Sequence, residues 1–338
     1  MDKLKTTNTL LLIIVIPLVF YLLKILSFIF VPLVFSMFVA LLFLPIMRWL
    51  GKKKVPKLIS IIIVVLLIIG GMKIGIELTQ LSSRQILNSN TGFFIKAEEK
   101  FVALLVIIQE TFGFELQSER TLFSQFFQQE DIIPTFDYIR KLVTTILMTI
   151  FFVVLWLAES INVQKVMNNT ILKQKHASVR TFRKIEKELI KFIEVKFFVS
   201  LATGIGTGLA CLFFDVSFPI FWGLFAFAIN FVQMVGSIIS VVLLSIFAFI
   251  ELDTTSVLFF FIITITGVQV LFGAILEPIF MGKSFSLNVI TVLVMLMLWG
   301  FIWGIPGLIM AIPITVFIKI ILDQFPNTRI LASMLSAK

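Results

Sequence analysis

The stretch FIITITGVQVLFGAILEPIFMGK, residues 261–283, has both the hydrophobic length and the polar interruptions that decide the fold class. A run of this length is sufficient to cross a bilayer core as a helix. Four residues interrupt it at the helical spacing i, i+3, i+7 and i+11, namely Thr266, Gln269, Gly273 and Glu277. The spacing places them on one face of a helix, which leads into Pro278, where a helix is expected to kink or stop. Because polar groups are costly in lipid, we expect this face to lie on a solute path; the simpler alternative is that it only links neighbouring helices.

The composition of the whole chain excludes a soluble protein. Of its 338 residues 59% are hydrophobic and 14% are charged, and the mean hydropathy is +1.10. The apolar segments are continuous rather than alternating, which favours membrane helices over a transmembrane β-barrel. We therefore predict an all-α polytopic integral membrane protein with six to eight transmembrane helices and broken, re-entrant helical hairpins.

The net charge of +9 does not indicate a nucleic-acid partner. Lysine and arginine are concentrated in short stretches between hydrophobic runs, as in the cytoplasmic loops of membrane proteins, so the expected partner is the lipid bilayer. Cys211 is the single cysteine and lies within an apolar run, so neither a disulfide framework nor a thiolate metal site is expected. The spans contain no paired-carboxylate or His/Asp cluster, and we expect no enzyme, metal or cofactor.

Hydropathy and charge divide the chain into five parts. Residues 1–81 are predicted to form an N-terminal helical hairpin and a third transmembrane helix, and the acidic residues 82–141 an external amphipathic helical insert. Residues 142–196 contain a fourth transmembrane helix and a basic amphipathic helix on the cytoplasmic leaflet. Residues 197–322 form a transport core, and residues 323–338 a cytoplasmic tail. The positive-inside rule then predicts that both termini are cytoplasmic.

Prolines are expected to mark the helix boundaries of the first hairpin. The apolar run from Leu10 to Met47 is too long for one crossing, so it is predicted to turn near Ser27–Pro32, with Pro45 as a second helix boundary.

Two further apolar stretches, residues 218–250 and 287–321, flank the opening stretch. The first contains a second polar face, with Asn230, Gln233 and Ser237 at helical spacing. Each stretch is too long for one comfortable crossing and too short for two. Both a tilted, kinked span and a broken hairpin that enters and leaves on the same side fit these lengths, and the hairpin is the favoured alternative.

Three segments resemble the autoinducer-2 exporter family of bacterial permeases. They are PIFWGLFAFAINFVQMVGSIIS (219–240), LEPIFMGKSFSLN (276–288) and WGIPGLIMAIPITVFIKIIL (303–322). The resemblance implies a multi-pass permease of the bacterial cytoplasmic membrane that forms homo-oligomers. The family is named for exporting a small polar signalling molecule, and other members are described as sodium(lithium)/proton antiporters.

The resemblance rests on matched positions in fixed order. These are Pro219, Gly223, Asn230, Gly236, Glu277, Pro278, Met281, Gly282, Lys283, Gly304, Gly307 and Pro313. Gln233 stands where relatives have a proline, and Phe272 and Ala274 stand where many relatives have a glutamate and an asparagine. If those polar groups bind the solute or ion in relatives, the substrate here differs.

From these observations we predict a secondary transporter that exports a small polar or anionic molecule. Glu277 would respond to a proton or cation, and Lys283 would contact an anion at the cytoplasmic mouth. The predicted pathway residues are Asn230, Gln233, Ser237, Thr266, Gln269, Glu277 and Lys283. Hinges or close packing are expected at Pro219, Gly223, Gly236, Gly273, Pro278, Gly282, Gly304, Pro306, Gly307 and Pro313. Two alternatives stay open: antiport of Na⁺ or Li⁺ against H⁺, and a non-transporting scaffold that presents its basic helix to lipids or partners.

Overall fold

The structure, a computed structural model, describes residues 2–88, 99–100, 136–166, 176–232, 235–282, 287–324 and 328–336. Within these ranges the chain is almost entirely helical. The helices are α1 (Asp2–Ile25), α2 (Ser27–Lys52), α3 (Lys57–Asn88), α4 (Phe136–Val166), α5 (His176–Phe213), α6 (Pro219–Ile229), α7 (Val235–Glu251), α8 (Thr255–Gln269), α9 (Glu277–Met281), α10 (Val289–Trp303), α11 (Ile305–Gln324) and α12 (Arg329–Leu335). A π-helical segment, Val270–Leu276, joins α8 to α9. Most of the predicted external insert lies outside the described residues.

The helices have the length and exposure of a multi-pass membrane protein. Among the described residues five are long and apolar enough to cross a membrane: Ser27–Lys52, Lys57–Ser82, Lys184–Phe213, Thr255–Met281 and Ile305–Asp323. Shorter apolar helices, including α6, α7 and α10, accompany them. Many leucine, isoleucine and phenylalanine side chains are exposed on the outer faces, as suits contact with lipid. The predicted all-α polytopic fold is confirmed.

The N-terminal segment differs from the prediction. The turn expected over Ser27–Pro32 reduces to a single residue, Leu26, across which helical hydrogen bonds continue on both sides. Pro32 and Pro45 lie inside α2 and end no helix. Prolines are tolerated in membrane helices because neighbouring helices and local adjustments satisfy the backbone groups that they leave unpaired.

Helix α5 contains both the basic segment and the apolar segment that follows it. Residues 176–213 form one uninterrupted helix, so the boundary predicted at Lys196, between a leaflet-bound basic helix and the next crossing, coincides with no helix end. Lys196 lies near the middle of α5 and is 3% exposed. The five-part division of the chain otherwise stays a prediction.

Residues 219–251 form a helical hairpin, as the favoured alternative predicted. Helix α6 ends at Ile229 and α7 starts at Val235. The arms fold back on each other, since the rings of Trp222 and Phe247 lie 5.1 Å apart. At the open end Glu251 accepts hydrogen bonds from the backbone N–H of Ser217, at 2.8 Å, and from its hydroxyl group. The two ends of the hairpin are therefore held together.

Helices α10 and α11 form a second hairpin. Gly304 is the tip, with φ 64 and ψ −139, a conformation that favours glycine. A Cβ atom on Gly300 would lie 2.8 Å from the side chain of Leu308, which is possible only if the chain reverses between them. Near the base of this hairpin, the N–H of Asn288 donates to the carbonyl of Leu335 in α12 at 3.0 Å.

Two of the separate apolar clusters that form the core share α5. One cluster, with Phe192 and Trp299 among its members, joins α2, α5, α10 and α11. A second, around Cys211 and Phe261, joins α5 to α6, α7 and α8. Helices α5 and α6 approach so closely that a Cβ atom on Gly204 would lie 2.7 Å from the carbonyl oxygen of Gly223. Helix α5 is therefore the central element against which the first hairpin and α8 pack.

Candidate functional site

A cavity of about 570 Å³ lies between α5, the α6–α7 hairpin and the α8–π–α9 span. Its volume falls within the range typical of small-molecule sites. The two predicted polar faces meet here, and a Cβ atom on Gly273 would lie 3.6 Å from Ser237 Oγ. The predicted residues that line the cavity are Asn230, Ser237, Thr266, Gln269, Gly273, Glu277 and Pro278.

A buried ion pair closes one side of this cavity. Lys196 Nζ on α5 lies 2.9 Å from Glu277 Oε1 and 3.0 Å from Glu277 Oε2, and it donates to both oxygens. Both side chains are 3% exposed. A charge inside a membrane protein requires such a partner, and an intramembrane pair of this kind makes the cavity a candidate functional site.

Sequence reasoning identified Glu277 and missed Lys196. The lysine was grouped with the basic residues before it, although its neighbours contain a signal that was available. Lys196, Ser200, Thr203 and Thr207 recur at i, i+4, i+7 and i+11, so they form a third polar face. All four are buried in the structure.

Hydrogen bonding ties the broken hairpin to this third face. Asn230, at the C-terminal end of α6, donates from Nδ2 to Ser200 Oγ at 3.0 Å. Thr203 donates to the carbonyl of Val199 within its own helix. In the described part of the chain, the buried Gln269 Oε1 atom has no hydrogen-bond partner. Because buried polar atoms are nearly always paired, this amide oxygen is available to a ligand.

The π-helical segment positions Glu277. The N–H of Glu277 bonds to the carbonyl of Phe272, five residues back, instead of to that of Gly273. Pro278 follows as the second residue of α9, and a proline inside a membrane helix is tolerated where local irregularities such as this π segment accommodate it. The sequence predicted that the helix would kink or stop at Pro278. The helix does not stop there but continues to Met281. Single π-helical turns in α-helices frequently occur at functional sites.

The cavity has a polar floor and an apolar rim. Asn230, Gln269 and Glu277 are buried at its floor, whereas Ile238 and Val242 at its edge are 63% and 48% exposed. The opening of the cavity is therefore bordered by exposed apolar side chains, like those on the outer faces of the helices.

The sequence profile of the AI-2E family transporter matches residues 10–327. The chain belongs to the AI-2E transporter family. The resemblance inferred from the three segments is confirmed, and the coarse function of a membrane transporter follows from it.

Relatives in this AI-2E family are named for transport. A candidate transport protein of Haemophilus influenzae is 24% identical over 312 residues, covering 90% of this chain and 89% of its own length. Another from Borreliella burgdorferi is 31% identical over 185 residues, which is 54% of this chain and 51% of that protein. The AI-2 transport protein TqsA of Escherichia coli is 28% identical over 148 residues, 43% of this chain and 42% of its own.

Most of the remaining predicted positions of this AI-2E transporter lie at or near helix ends. Pro219 starts α6, and Gly223 packs on Gly204. A Cβ atom on Gly236 would overlap the Ile229 carbonyl, so a glycine permits the tight break of the first hairpin. The other positions are Gly282 with φ 80 at the end of α9, the hairpin tip Gly304, Pro306 and Gly307 in the first turn of α11, and the buried Pro313 within α11. Gln233 and Lys283 lie outside the described residues.

A second cavity, of about 300 Å³, lies on the other side of Lys196. It is bounded by α2, α5, α6 and α11, and its lining includes Phe38, Phe192, Phe227 and Met310.

Across the described ranges, no group of three His, Cys, Asp or Glu side chains lies close enough together to hold a metal ion. The arrangement is suited to binding a solute and exchanging hydrogen bonds with it.

Proposed function

We propose that this AI-2E transporter exports a small polar or anionic molecule through the 570 Å³ cavity, from the cytoplasmic side of a bacterial cytoplasmic membrane. The buried Lys196–Glu277 pair is the observation that carries the proposal. It joins α5 to the π-interrupted span, so any solute that competes for either charge alters the contact between these two elements. A transporter needs such an element with two arrangements that the solute can bias.

The polar groups around the pair support a solute site. The unpartnered Gln269 amide oxygen can accept a hydrogen bond from a polar solute, and Asn230 and Ser237 line the same cavity with side chains that can both donate and accept. Asn230 also lies where α6 ends and before α7 begins, and the free backbone groups of broken helices hold solutes or ions in transporters.

We infer the membrane orientation from the distribution of charge. Arg48 at the end of α2 pairs with Glu186 in the basic first half of α5, at 2.6 Å, so these two basic segments lie at the same end of the molecule. The positive-inside rule assigns that end to the cytoplasm. Self-association of the chain stays a prediction from the family resemblance.

The first experiment compares the small molecules inside and outside cells of a deletion strain that carries the wild-type gene, Glu277→Gln or Glu186→Gln. We expect one or more polar metabolites to accumulate inside cells without the transporter and inside cells with Glu277→Gln. Glu186→Gln is the matched control, because it makes the same change in a partly exposed pair away from both cavities. If no small molecule is redistributed, or if both variants export equally, the proposal is wrong.

Antiport is the alternative that the same residue raises. Proton movement driven by a sodium gradient, measured in proteoliposomes with the wild type and Glu277→Gln, separates the two. Sodium-dependent proton flux that Glu277→Gln abolishes, without a redistributed metabolite, would replace export by antiport. The scaffold alternative predicts that Glu277→Gln has no effect in either assay.

A further inference from the structure

Lys196 lines both cavities, and its two sides differ in chemistry. Towards α7 and α8 it borders the cavity that contains Asn230, Gln269 and Glu277. Towards α2 and α11 it borders the 300 Å³ cavity, whose described lining is otherwise phenylalanine, aliphatic and proline side chains and a methionine. The only charged group in that described lining is therefore an ammonium at its edge.

The ammonium can hold an anion while it contacts the apolar cavity. Lys196 carries three N–H donors, and its contacts with the two oxygens of Glu277 use two of them. Its neighbours along α5, Ile193 and Phe197, also line the apolar cavity. An anionic group at Nζ would therefore have polar partners on one side and an apolar space within reach on the other.

We propose that the cargo is an amphipathic anion whose carboxylate or phosphate head contacts Lys196 and whose hydrocarbon body occupies the 300 Å³ cavity. The inference rests on the proposed export function and specifies the class of solute. A purely polar solute would leave the apolar cavity unused, and an uncharged hydrocarbon would not engage the ammonium. The exposed rim at Ile238 and Val242 suits the passage of a molecule with an apolar body.

The test measures binding of four probes to the full chain in nanodiscs, with empty nanodiscs as the blank: octanoate, butanoate, octyl phosphate and octanol. Each methylene group removed from water contributes about fourfold in affinity, so octanoate, with four more than butanoate, gains up to about 200-fold. We expect octanoate and octyl phosphate to bind at least tenfold more tightly than butanoate and octanol.

Two kinds of variant locate the binding. The double variant Lys196→Met/Glu277→Gln removes both charges and leaves no unpaired ion in the interior, so it is expected to fold. It should bind octanoate at least tenfold more weakly than the wild type does, and octanol with the same affinity as the wild type. Ala228→Leu narrows the apolar cavity and should weaken the binding of octanoate more than the binding of butanoate. Its matched control is Ala158→Leu on α4, which lines neither cavity and should bind like the wild type.

Four results would overturn the inference. Octanoate binding no more tightly than butanoate to the wild type would refute the apolar body, even if a polar metabolite is exported. Equal binding to the double variant would refute the role of Lys196. Co-purified phospholipid that no alkanoate displaces would assign the cavity to a bilayer acyl chain instead. Tight octanoate binding without any redistributed metabolite would leave a binding site but refute its assignment to cargo, together with the export function.

Discussion

Replacing Glu277 by glutamine removes the negative partner of a lysine that is only 3% exposed. The amide can still accept one hydrogen bond, but the buried lysine loses its counter-ion. Removing one partner of a buried pair costs about 3–5 kcal/mol, because the remaining charge is not compensated. Lys196→Met leaves the carboxylate unpaired and should cost a similar amount.

The double variant should behave differently from the sum of the single variants. With both charges removed, a buried pair replaced by uncharged groups is typically neutral or stabilising. We therefore expect Lys196→Met/Glu277→Gln to unfold with nearly the wild-type free energy. Because each single substitution costs about 3 kcal/mol or more, the coupling energy is then about 6 kcal/mol or more in magnitude.

The assay is unfolding in mixed detergent micelles, followed by the fluorescence of the five tryptophans. Glu186→Gln is the control, since its partner Arg48 has a side chain that is 41% exposed, and exposed pairs contribute less than about 1 kcal/mol. Additive single substitutions, or a loss below about 1 kcal/mol for Glu277→Gln, would contradict a buried, mutually dependent pair.

Other consequences of the fold are testable in the same way. Gly204→Ala should destabilise the protein by about 1–3 kcal/mol, because the added Cβ would meet the backbone of Gly223. Gly71→Ala is the control, since open space surrounds Gly71, and it should leave the stability unchanged. Equal melting temperatures for the two variants would refute the close approach of α5 and α6. Gly304→Ala should cost about 1–3 kcal/mol through backbone strain alone, since no atom lies near its Cβ position; an unchanged melting temperature would refute the hairpin tip. A cysteine at Lys53 should react with a membrane-impermeant maleimide only in inside-out vesicles, and labelling of intact cells would reverse the proposed orientation.

The site was predictable where one helix carried the whole pattern. The spacing of Thr266, Gln269 and Glu277 predicted one polar face, and Asn230 with Ser237 predicted a second, and these residues line one cavity. Local spacing identifies a face of a helix. It does not identify which helix lies opposite, so the pairing of Glu277 with a residue 81 positions earlier could not be read from either stretch.

Two further features escaped prediction for physical reasons. Lys196 follows eight other basic residues, and the positive-inside rule groups residues by charge and not by burial. The π-helical segment has no apolar periodicity of its own, so only Pro278 indicated an irregularity there. By contrast, the broken hairpins were predictable from length, because an apolar stretch of intermediate length with internal polar residues has few membrane geometries.

The most direct test of the central claim is a thiol-block experiment on export of the solute that metabolite profiling identifies. Thr266 lines the cavity, whereas Thr264 does not and bonds to the carbonyl of Phe260; native Cys211 is fully buried. Export by Thr266→Cys should stop after treatment with a charged thiol reagent, and the solute should slow the reaction. Thr264→Cys and the wild type should export as before. Equal export by all three proteins after treatment would show that the solute does not pass through this cavity.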